Sequence, residues 1–143
     1  MAVSALTALG DQDGARDVAR IVLQRAEKVL ALDQSNGHAM GESAFALAAL
    51  GERERARAQI ERALLLEPDN SQMAYNFACA LSVYLKDAEG ALDLLGPLFS
   101  TVRGAEFLAH ARLDTDFDPI RDDRRFLAMF AEAEPRLAGD AAT

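Results

Sequence analysis

The sequence predicts an all-α protein, and composition, apolar periodicity and an internal repeat each support that prediction. The 143 residues include 29 Ala and 20 Leu but only 13 Val, Ile and Thr together, which is a strong excess of helix formers over strand formers. Apolar residues recur at spacings of three and four, and no segment alternates apolar and polar residues with a period of two. The length corresponds to one domain, so we expect a single set of antiparallel helix pairs.

Charge and composition exclude several classes of function. The net charge is −8, with 15 Lys and Arg against 23 Asp and Glu, so the protein repels phosphate backbones and anionic lipid head groups. No stretch approaches the roughly 18 unbroken apolar residues of a membrane span, and the first ten residues lack the basic start of a secretion signal. Cys79 has no second cysteine to pair with, which favours a reducing compartment. We therefore expect a cytoplasmic protein with no nucleic-acid partner and no membrane partner.

An internal repeat sets the predicted boundaries along the chain. At an offset of 34 residues, one group of positions superposes on a second: Leu32, Asp33, Asn36, Ala44, Ala46 and Leu47 on Leu66, Glu67, Asn70, Ala78, Ala80 and Leu81. A 34-residue period is typical of stacked helix pairs. The repeat divides the single domain into a truncated first unit (1–36), a regular unit (37–70), a divergent unit (71–102) and a helical cap and tail (103–143).

The first unit is predicted to contain a short helix and a long one. Leu9 and Gly10 mirror Leu50 and Gly51 at a spacing of 41 residues, which is seven more than the repeat. Seven residues are nearly two helical turns, so a longer helix from about Ala15 to Leu32 rotates its apolar face by only about 20°. Its partner, residues 2–9, corresponds to the last part of a full first helix. The chain is then either a piece of a longer protein or one with a natural short cap.

The regular unit carries small residues where its two helices are predicted to cross. These are Ala44, Ala56 and Ala63, while Gly51 ends the first helix and Pro68 closes the second. The same residues resemble the tetratricopeptide repeat family, with Met40 at a position where the family often has tryptophan. The resemblance implies a right-handed α-α superhelix of tetratricopeptide-like antiparallel helix pairs. It also implies a noncatalytic protein-interaction module.

The divergent unit begins with a series that also resembles the family, from Tyr75 to Ala78. Its second helix departs from the pattern, because Ala91 corresponds to Ala56 only after one inserted residue. Gly96 and Pro97 follow within the same helix. Because proline removes a backbone hydrogen bond and clashes one turn back, we expect a kink or break near Gly96.

The tail is predicted to cap the exposed end of the stack. After a helix at about residues 104–111, Asp118 and Pro119 have the form of an N-cap and a first helical residue, and Asp122 or Asp123 can cap the following helix. The apolar face of this region is offered by Phe117, Ile120, Phe126 and Phe130. A terminal repeat needs such a cover, because it would otherwise leave apolar surface in water.

The run from Leu113 to Phe126, the long helix of the first unit and the segment from Tyr75 to Leu81 together resemble the C-terminal repeat region of bacterial class III adenylate cyclases. Similar tails follow some bacterial kinase-like or regulatory domains. The resemblance implies that this chain is the regulatory C-terminal part of a larger signalling protein. The alternative is a piece of an adenylate cyclase that regulates or dimerises its catalytic domain. No cyclase catalytic motif is present, so we expect no enzymatic activity from this chain alone.

Candidate reactive residues do not form a coherent catalytic or metal site in the sequence. Asp114, Asp116 and Asp118 have the spacing that opens an EF-hand loop, but Pro119 stands where that loop needs glycine and Arg125 where it needs glutamate. His38 and His110 lie in different units, and neither has a nucleophile at a suggestive spacing. Cys79 has no basic residue within a helical turn to lower its pKa. We expect no catalytic residue, no metal and no cofactor.

The expected function depends on the concave groove that the first helices of such stacks line. The candidate partner-binding residues are His38, Glu42, Phe45, Tyr75, Asn76, Cys79 and Val83, with Gly41, Ala49 and Ser82 among them. Only Asn76 fits the family's clamp for peptide carboxylates, so no such clamp is predicted. A protein or peptide laid across Phe45 and Tyr75 is one occupant, and the other is intramolecular or a neighbouring copy. For an open groove, Phe45→Ala and Tyr75→Ala weaken partner capture with little thermal loss.

Overall fold

A computed structural model describes residues 2–141, and residues 1, 142 and 143 of the first and last predicted units lie outside this range. The described residues form eight α-helices and one 3₁₀ helix, with no strand among them. The helices are α1 (Ala2–Ala8), α2 (Gln12–Leu32), α3 (Gly37–Ala49), α4 (Arg53–Leu66), α5 (Ser71–Val83), α6 (Ala88–Thr101), α7 (Ala105–Leu113), the 3₁₀ helix (Thr115–Ile120) and α8 (Arg124–Ala141). None of these helices has the length and apolar character that a membrane span requires. The all-α prediction is confirmed.

Helices that follow one another pack together, and α3 lies at the centre of the packing. It contacts α2, α4 and α5, and its residues from Ala39 to Ala48 are almost all buried. α5 packs against α6 and also against the 3₁₀ helix, while α8 covers α6 and α7. Short connections between contacting helices make α1–α2, α3–α4 and α5–α6 three helical hairpins.

A residue with positive φ follows the first helix of each hairpin. Gly10 and Gly51 have φ of +81° and +82°, and Lys86 takes φ of +54° at the corresponding place. After Gly51, the backbone N–H of Glu52 donates to the carbonyl of Leu47 at 2.9 Å, a bond that closes the helix end. Glycine adopts this left-handed conformation at little cost, whereas Lys86 carries a Cβ there and is strained.

Asparagine caps the N-terminus of both α3 and α5. The Asn36 side chain accepts a hydrogen bond from the Ala39 N–H at 2.9 Å, and the Asn70 side chain accepts one from the Met73 N–H at 3.0 Å. Each bond satisfies a donor that has no partner within the helix. The two caps lie 34 residues apart in the chain, so the internal repeat of the sequence corresponds to a repeated local structure.

The alanines of the regular unit lie where helices approach closely. Ala44, Ala56 and Ala63 have no solvent exposure, and Ala78 and Ala91 are equally buried in the α5–α6 hairpin. Because these side chains end at Cβ, the backbones of neighbouring helices can pack closely. The sequence prediction that these positions need small residues agrees with their burial.

The predicted interruption near Gly96 is wrong as a break, because α6 continues through Gly96 and Pro97 to Thr101. The buried residues Leu92, Leu95, Leu98 and Phe99 stand on both sides of the proline and hold α6 against its neighbours. Tertiary packing of this apolar face outweighs the backbone hydrogen bond that proline lacks.

The tail packs on α5 and α6, and its helix caps agree with the prediction only in part. Phe117, Ile120, Phe126 and Phe130 are all buried. Asp114, rather than Asp118, caps the 3₁₀ helix through a 3.0 Å bond from the Asp116 N–H, and Pro119 lies inside that helix. The predicted cap at Asp123 agrees with the bond that its carboxylate accepts from the Arg125 N–H at 2.8 Å.

Candidate functional site

The chain itself covers part of the predicted concave surface. The 3₁₀ helix packs on α5, and α1 also contacts the 3₁₀ helix. The Ser4 hydroxyl donates to Asp116 Oδ2 at 2.9 Å and joins the two covering elements. These contacts cover this part of α5 with segments of the chain itself.

A cavity of about 430 Å³ remains between α5, α1 and the tail. Its walls combine side chains of α3 and α5 with side chains of α1, α7 and the 3₁₀ helix. The lining residues are Ser4, Ala5, Phe45, Gln72, Tyr75, Asn76, Cys79, His110, Leu113, Asp114, Thr115 and Asp116.

A second cavity, of about 240 Å³, adjoins the first along α3 and α5. Both cavities are lined by Gln72 and Asn76, which lie one helical turn apart on α5. The other residues of the second cavity are Gly37, His38, Gly41, Glu42, Asn70 and Met73. We refer to the two adjoining cavities together as the groove.

Two aspartates at the floor of the first cavity are held by hydrogen bonds. The Tyr75 hydroxyl donates to Asp114 Oδ2 at 2.7 Å, and the Cys79 thiol lies 3.8 Å from the same oxygen. Asp114 Oδ1 accepts from the backbone N–H of Asp116 at 3.0 Å. The orientations of both carboxylates are thus set by contacts to α1, α5 and the 3₁₀ helix.

The environment of this floor disfavours additional negative charge. Burial, together with the neighbouring aspartates, raises the pKa of the Cys79 thiol and of the Tyr75 hydroxyl well above their ordinary values. Burial also raises the pKa of the Asp116 carboxyl, and the charge of Asp114 adds to that effect. Cys79 is therefore a protonated thiol near neutral pH, and it has the properties of a packing residue rather than of a nucleophile.

Cys79, Asp114 and Asp116 are the residues of this site that could hold a metal ion, because one ligand atom from each lies within 4.8 Å of the others. The carboxylates already accept hydrogen bonds from Tyr75 and Ser4. The three aspartates of the EF-hand spacing do not converge, since Asp118 is exposed and pairs with Arg121 at 2.8 Å.

Aromatic side chains form the wall behind Asp114. The Tyr75 ring makes edge-on contacts with Phe107 and Phe117, at centroid distances of 5.6 and 5.3 Å, and the His110 ring lies 5.7 Å away at a tilt. Such contacts fix the Tyr75 ring, and with it the hydroxyl that holds Asp114.

The predicted partner-binding residues divide into two groups in the structure. His38, Glu42 and Asn76 lie on the groove surface, with His38 exposed and the other two partly exposed. The expectation of an exposed position is wrong for Phe45, Tyr75 and Cys79, which are 2%, 7% and 3% exposed. Tyr75 and Cys79 contact Asp114 of the tail, and the Phe45 ring packs against Tyr84 at a centroid distance of 5.4 Å. Val83 is partly exposed and lines a different cavity beside Tyr84, and of the small residues Gly41 and Ser82 are buried while Ala49 is partly exposed.

Sequence reasoning missed the groove residues that come from outside the repeat units. From the sequence, Asp114 and Asp116 are considered only as metal ligands, and Ser4 and His110 are not assigned to the groove. The available signal was the position of the two aspartates beside Phe117, because a buried aromatic anchor carries its neighbouring residues onto the stack. The sequence does not show which surface of the stack that anchor meets.

The fold and the groove define an all-α protein of packed helical hairpins with a partly covered acidic groove. No family model, curated protein or solved structure matches the chain. The functional argument therefore depends on the groove itself and on the repeat pattern of the residues.

Proposed function

We propose that the chain is a noncatalytic protein-interaction module of the tetratricopeptide type, acting in the cytoplasm as the regulatory part of a larger signalling protein. Its stack is a right-handed α-α superhelix, and its ligand is a peptide segment of a partner protein bound in the groove. The signalling assignment is supported by the resemblance of the tail and of the segment from Tyr75 to Leu81 to cyclase-associated repeat regions.

The repeat assignment is supported by three kinds of agreement between the α3–α4 and α5–α6 hairpins. The asparagine caps at the starts of α3 and α5 are equivalent. The positive-φ ends of the first helices, at Gly51 and Lys86, correspond once the inserted residue is counted. Alanines are buried at matching places in both hairpins.

The groove is the single observation that carries the binding function. Its two cavities lie along α3 and α5 and share Gln72 and Asn76, so together they offer one adjoining surface to a ligand. Its walls combine amides, carboxylates and aromatic rings. Recognition sites for peptides commonly combine such apolar contacts with a few fixed polar groups.

The test is a selection from a random peptide library displayed without bias in charge. Gln72→Trp places a large ring in the groove at an exposed position shared by both cavities. We expect peptides selected on the wild-type protein to bind this variant at least about tenfold more weakly, which corresponds to the loss of one well-packed contact region.

The matched control is Leu65→Trp, which adds the same ring at an 84% exposed position on α4 outside the groove. Selected peptides should bind this variant as they bind the wild type. If no peptide is selected, or if both variants bind every selected peptide equally well, the proposed function is wrong.

A further inference from the structure

The groove is acidic, and the basic side chains among its described lining residues are two histidines, His38 and His110. Its lining includes the carboxylates of Glu42, Asp114 and Asp116 and contains no lysine or arginine. The Glu42 carboxylate lies 3.5 Å from His38 Nε2, a partner that is charged only when protonated. The sequence has 15 lysines and arginines, so basic residues are plentiful elsewhere in the chain. The fixed charges of the lining are therefore negative. A cleft with walls of low dielectric constant concentrates the electric field of such charges, which attracts a cationic ligand.

The two aspartates also have no strong ion-pair partner within the described residues. The cation nearest to the Asp114 carboxylate is His110, whose Nε2 lies 3.7 Å from Oδ2 and is charged only when protonated. Asp116 accepts from the neutral Ser4 hydroxyl. The guanidinium of Arg121 donates to the backbone carbonyl of Asp114 at 2.6 Å and to the Asp118 carboxylate at 2.8 Å, so it neutralises neither groove aspartate.

Asp114 can be reached from the groove. Its side chain is 15% exposed, and the exposed residues Leu113 and His110 stand beside it at the rim. The more deeply buried Asp116 lies beside it, with a carboxylate oxygen within 4.8 Å of one of Asp114. A lysine or arginine side chain entering here would place its aliphatic part against apolar surface and its charged end at the carboxylates.

We propose that the groove selects basic peptide segments, with a lysine or arginine side chain of the partner bound at Asp114 beside Asp116 and a second basic residue near Glu42. This inference rests on the proposed function and specifies the chemistry of the partner. Charge complementarity decides the occupant, because an acidic groove in a protein of net charge −8 attracts a cationic ligand and repels an acidic one.

The first experiment compares two labelled peptides by fluorescence anisotropy. One is a short arginine–alanine peptide, and the other carries citrulline in place of each arginine, which keeps the shape and removes the charge. We expect the citrulline peptide to bind at least about tenfold more weakly, since hydrogen bonds to charged groups are the stronger ones. Equal binding of the two peptides would overturn the inference.

Variants then separate the groove from the overall charge of the protein. Asp114→Asn and Glu42→Gln each remove one groove charge and should weaken the arginine peptide about tenfold. Glu61→Gln removes the same charge from an exposed position of α4 and should change the affinity by less than about twofold. If Glu61→Gln weakens binding as much as the groove variants do, the attraction comes from net charge and the proposal is wrong.

Two further measurements keep the result interpretable. Thermal melts show whether the Asp114→Asn variant is folded. Glu42 lies at the surface, so Glu42→Gln tests the role of groove charge without changing the buried contacts of Asp114. The sequence contains no tryptophan, so Leu113→Trp at the rim gives a single fluorophore whose emission should change on binding, whereas Leu65→Trp should not respond. A response of Leu65→Trp alone would place the peptide outside the groove and contradict the proposal.

The peptide selection described above distinguishes this inference from the proposed function. If the selected peptides bind through the groove but are neutral or acidic, the proposed interaction function stands and the preference for basic partners is wrong. Selected peptides enriched in lysine and arginine, and weakened by Asp114→Asn, would support both.

Discussion

At the scale of single residues, the Asp114–Asp116 pair is the least ordinary feature of the protein. Both carboxylates lie where α1, α5 and the tail meet, and the bonds from Tyr75 and Ser4 hold them there. Desolvation makes the charged form of Asp116 costly, so its pKa is raised on folding. This cost gives the protein a dependence of stability on pH that is opposite in sign to that of a normal ion-paired aspartate.

The prediction concerns Asp116→Asn, which keeps the shape and the acceptor for Ser4 but cannot ionise. Folding raises the pKa of Asp116 above its ordinary value of 3.8. The stability that Asp116 contributes is therefore fully present at pH values below 3.8 and is lost as the pH rises through its pKa in the folded protein. The free energy of unfolding of Asp116→Asn relative to the wild type should therefore increase as pH rises from about 3.8, which urea titrations at several pH values measure.

Asp87→Asn is the control of opposite sign. The backbone N–H of Gly90 and the side chain of Arg57 lower the pKa of Asp87. The stability that Asp87 contributes is fully present at pH values above 3.8 and is lost as the pH falls through its lowered pKa in the folded protein. Asp87→Asn should therefore lower the free energy of unfolding most at neutral pH. If both substitutions shift stability in the same direction with pH, the described environment of Asp116 is incorrect.

At the scale of helices, most of the fold is predictable from the sequence because local signals and packing agree. Asn36 and Asn70 mark helix starts, Gly51 marks a helix end, and the buried alanines recur with the repeat. The exception is α6, whose proline favours an interruption that its buried face overrides. Propensity acts on a few residues, whereas the apolar face of α6 packs along its whole length.

The helix crossing gives a prediction for Ala63→Leu. Ala63 has no exposure between the packed helices, so three added carbons have no space, and we expect a loss of about 1 to 3 kcal/mol in the free energy of unfolding. Ala56→Leu should behave in the same way. Urea denaturation monitored by circular dichroism gives the measurement.

Ala58→Leu is the matched control on the same helix, since Ala58 is exposed. It should change stability by less than about 0.5 kcal/mol, as surface substitutions usually do. Equal effects at positions 58 and 63 would show that the crossing is not tightly packed.

At the scale of the whole molecule, the site was less predictable than the fold. The sequence predicts the helices that carry His38, Glu42 and Asn76, and these residues do line the groove. It does not predict that the tail returns to cover Tyr75 and Cys79, because that contact joins α5 to residues more than 30 positions away through side chains alone. Periodicity describes neighbours along the chain and contains no information about such a return.

The cover formed by α8 gives a prediction for the intact stack. A chain ended after Arg121 loses Phe126, Phe130 and Leu137, which are buried. At about 1.5 to 3 kcal/mol for each large apolar side chain, the loss is comparable with the total stability of a small domain. We expect no cooperative thermal transition for this shortened chain by circular dichroism.

A chain ended after Ala138 is the control, because it keeps these three side chains and removes only the last part of α8. It should melt within a few degrees of the full chain, as expected for a change of less than about 1 kcal/mol. A cooperative melt of the chain ended after Arg121 would contradict the covering role of α8.

The hydrogen bond between Ser4 and Asp116 spans 112 positions of the chain. Stacked hairpins whose contacts are confined to neighbours can fray from either end, one hairpin at a time. Here α1 contacts the 3₁₀ helix of the tail, so the first hairpin cannot detach without releasing that contact. The contact links the first hairpin to the tail, so folding must bring two distant parts of the chain together.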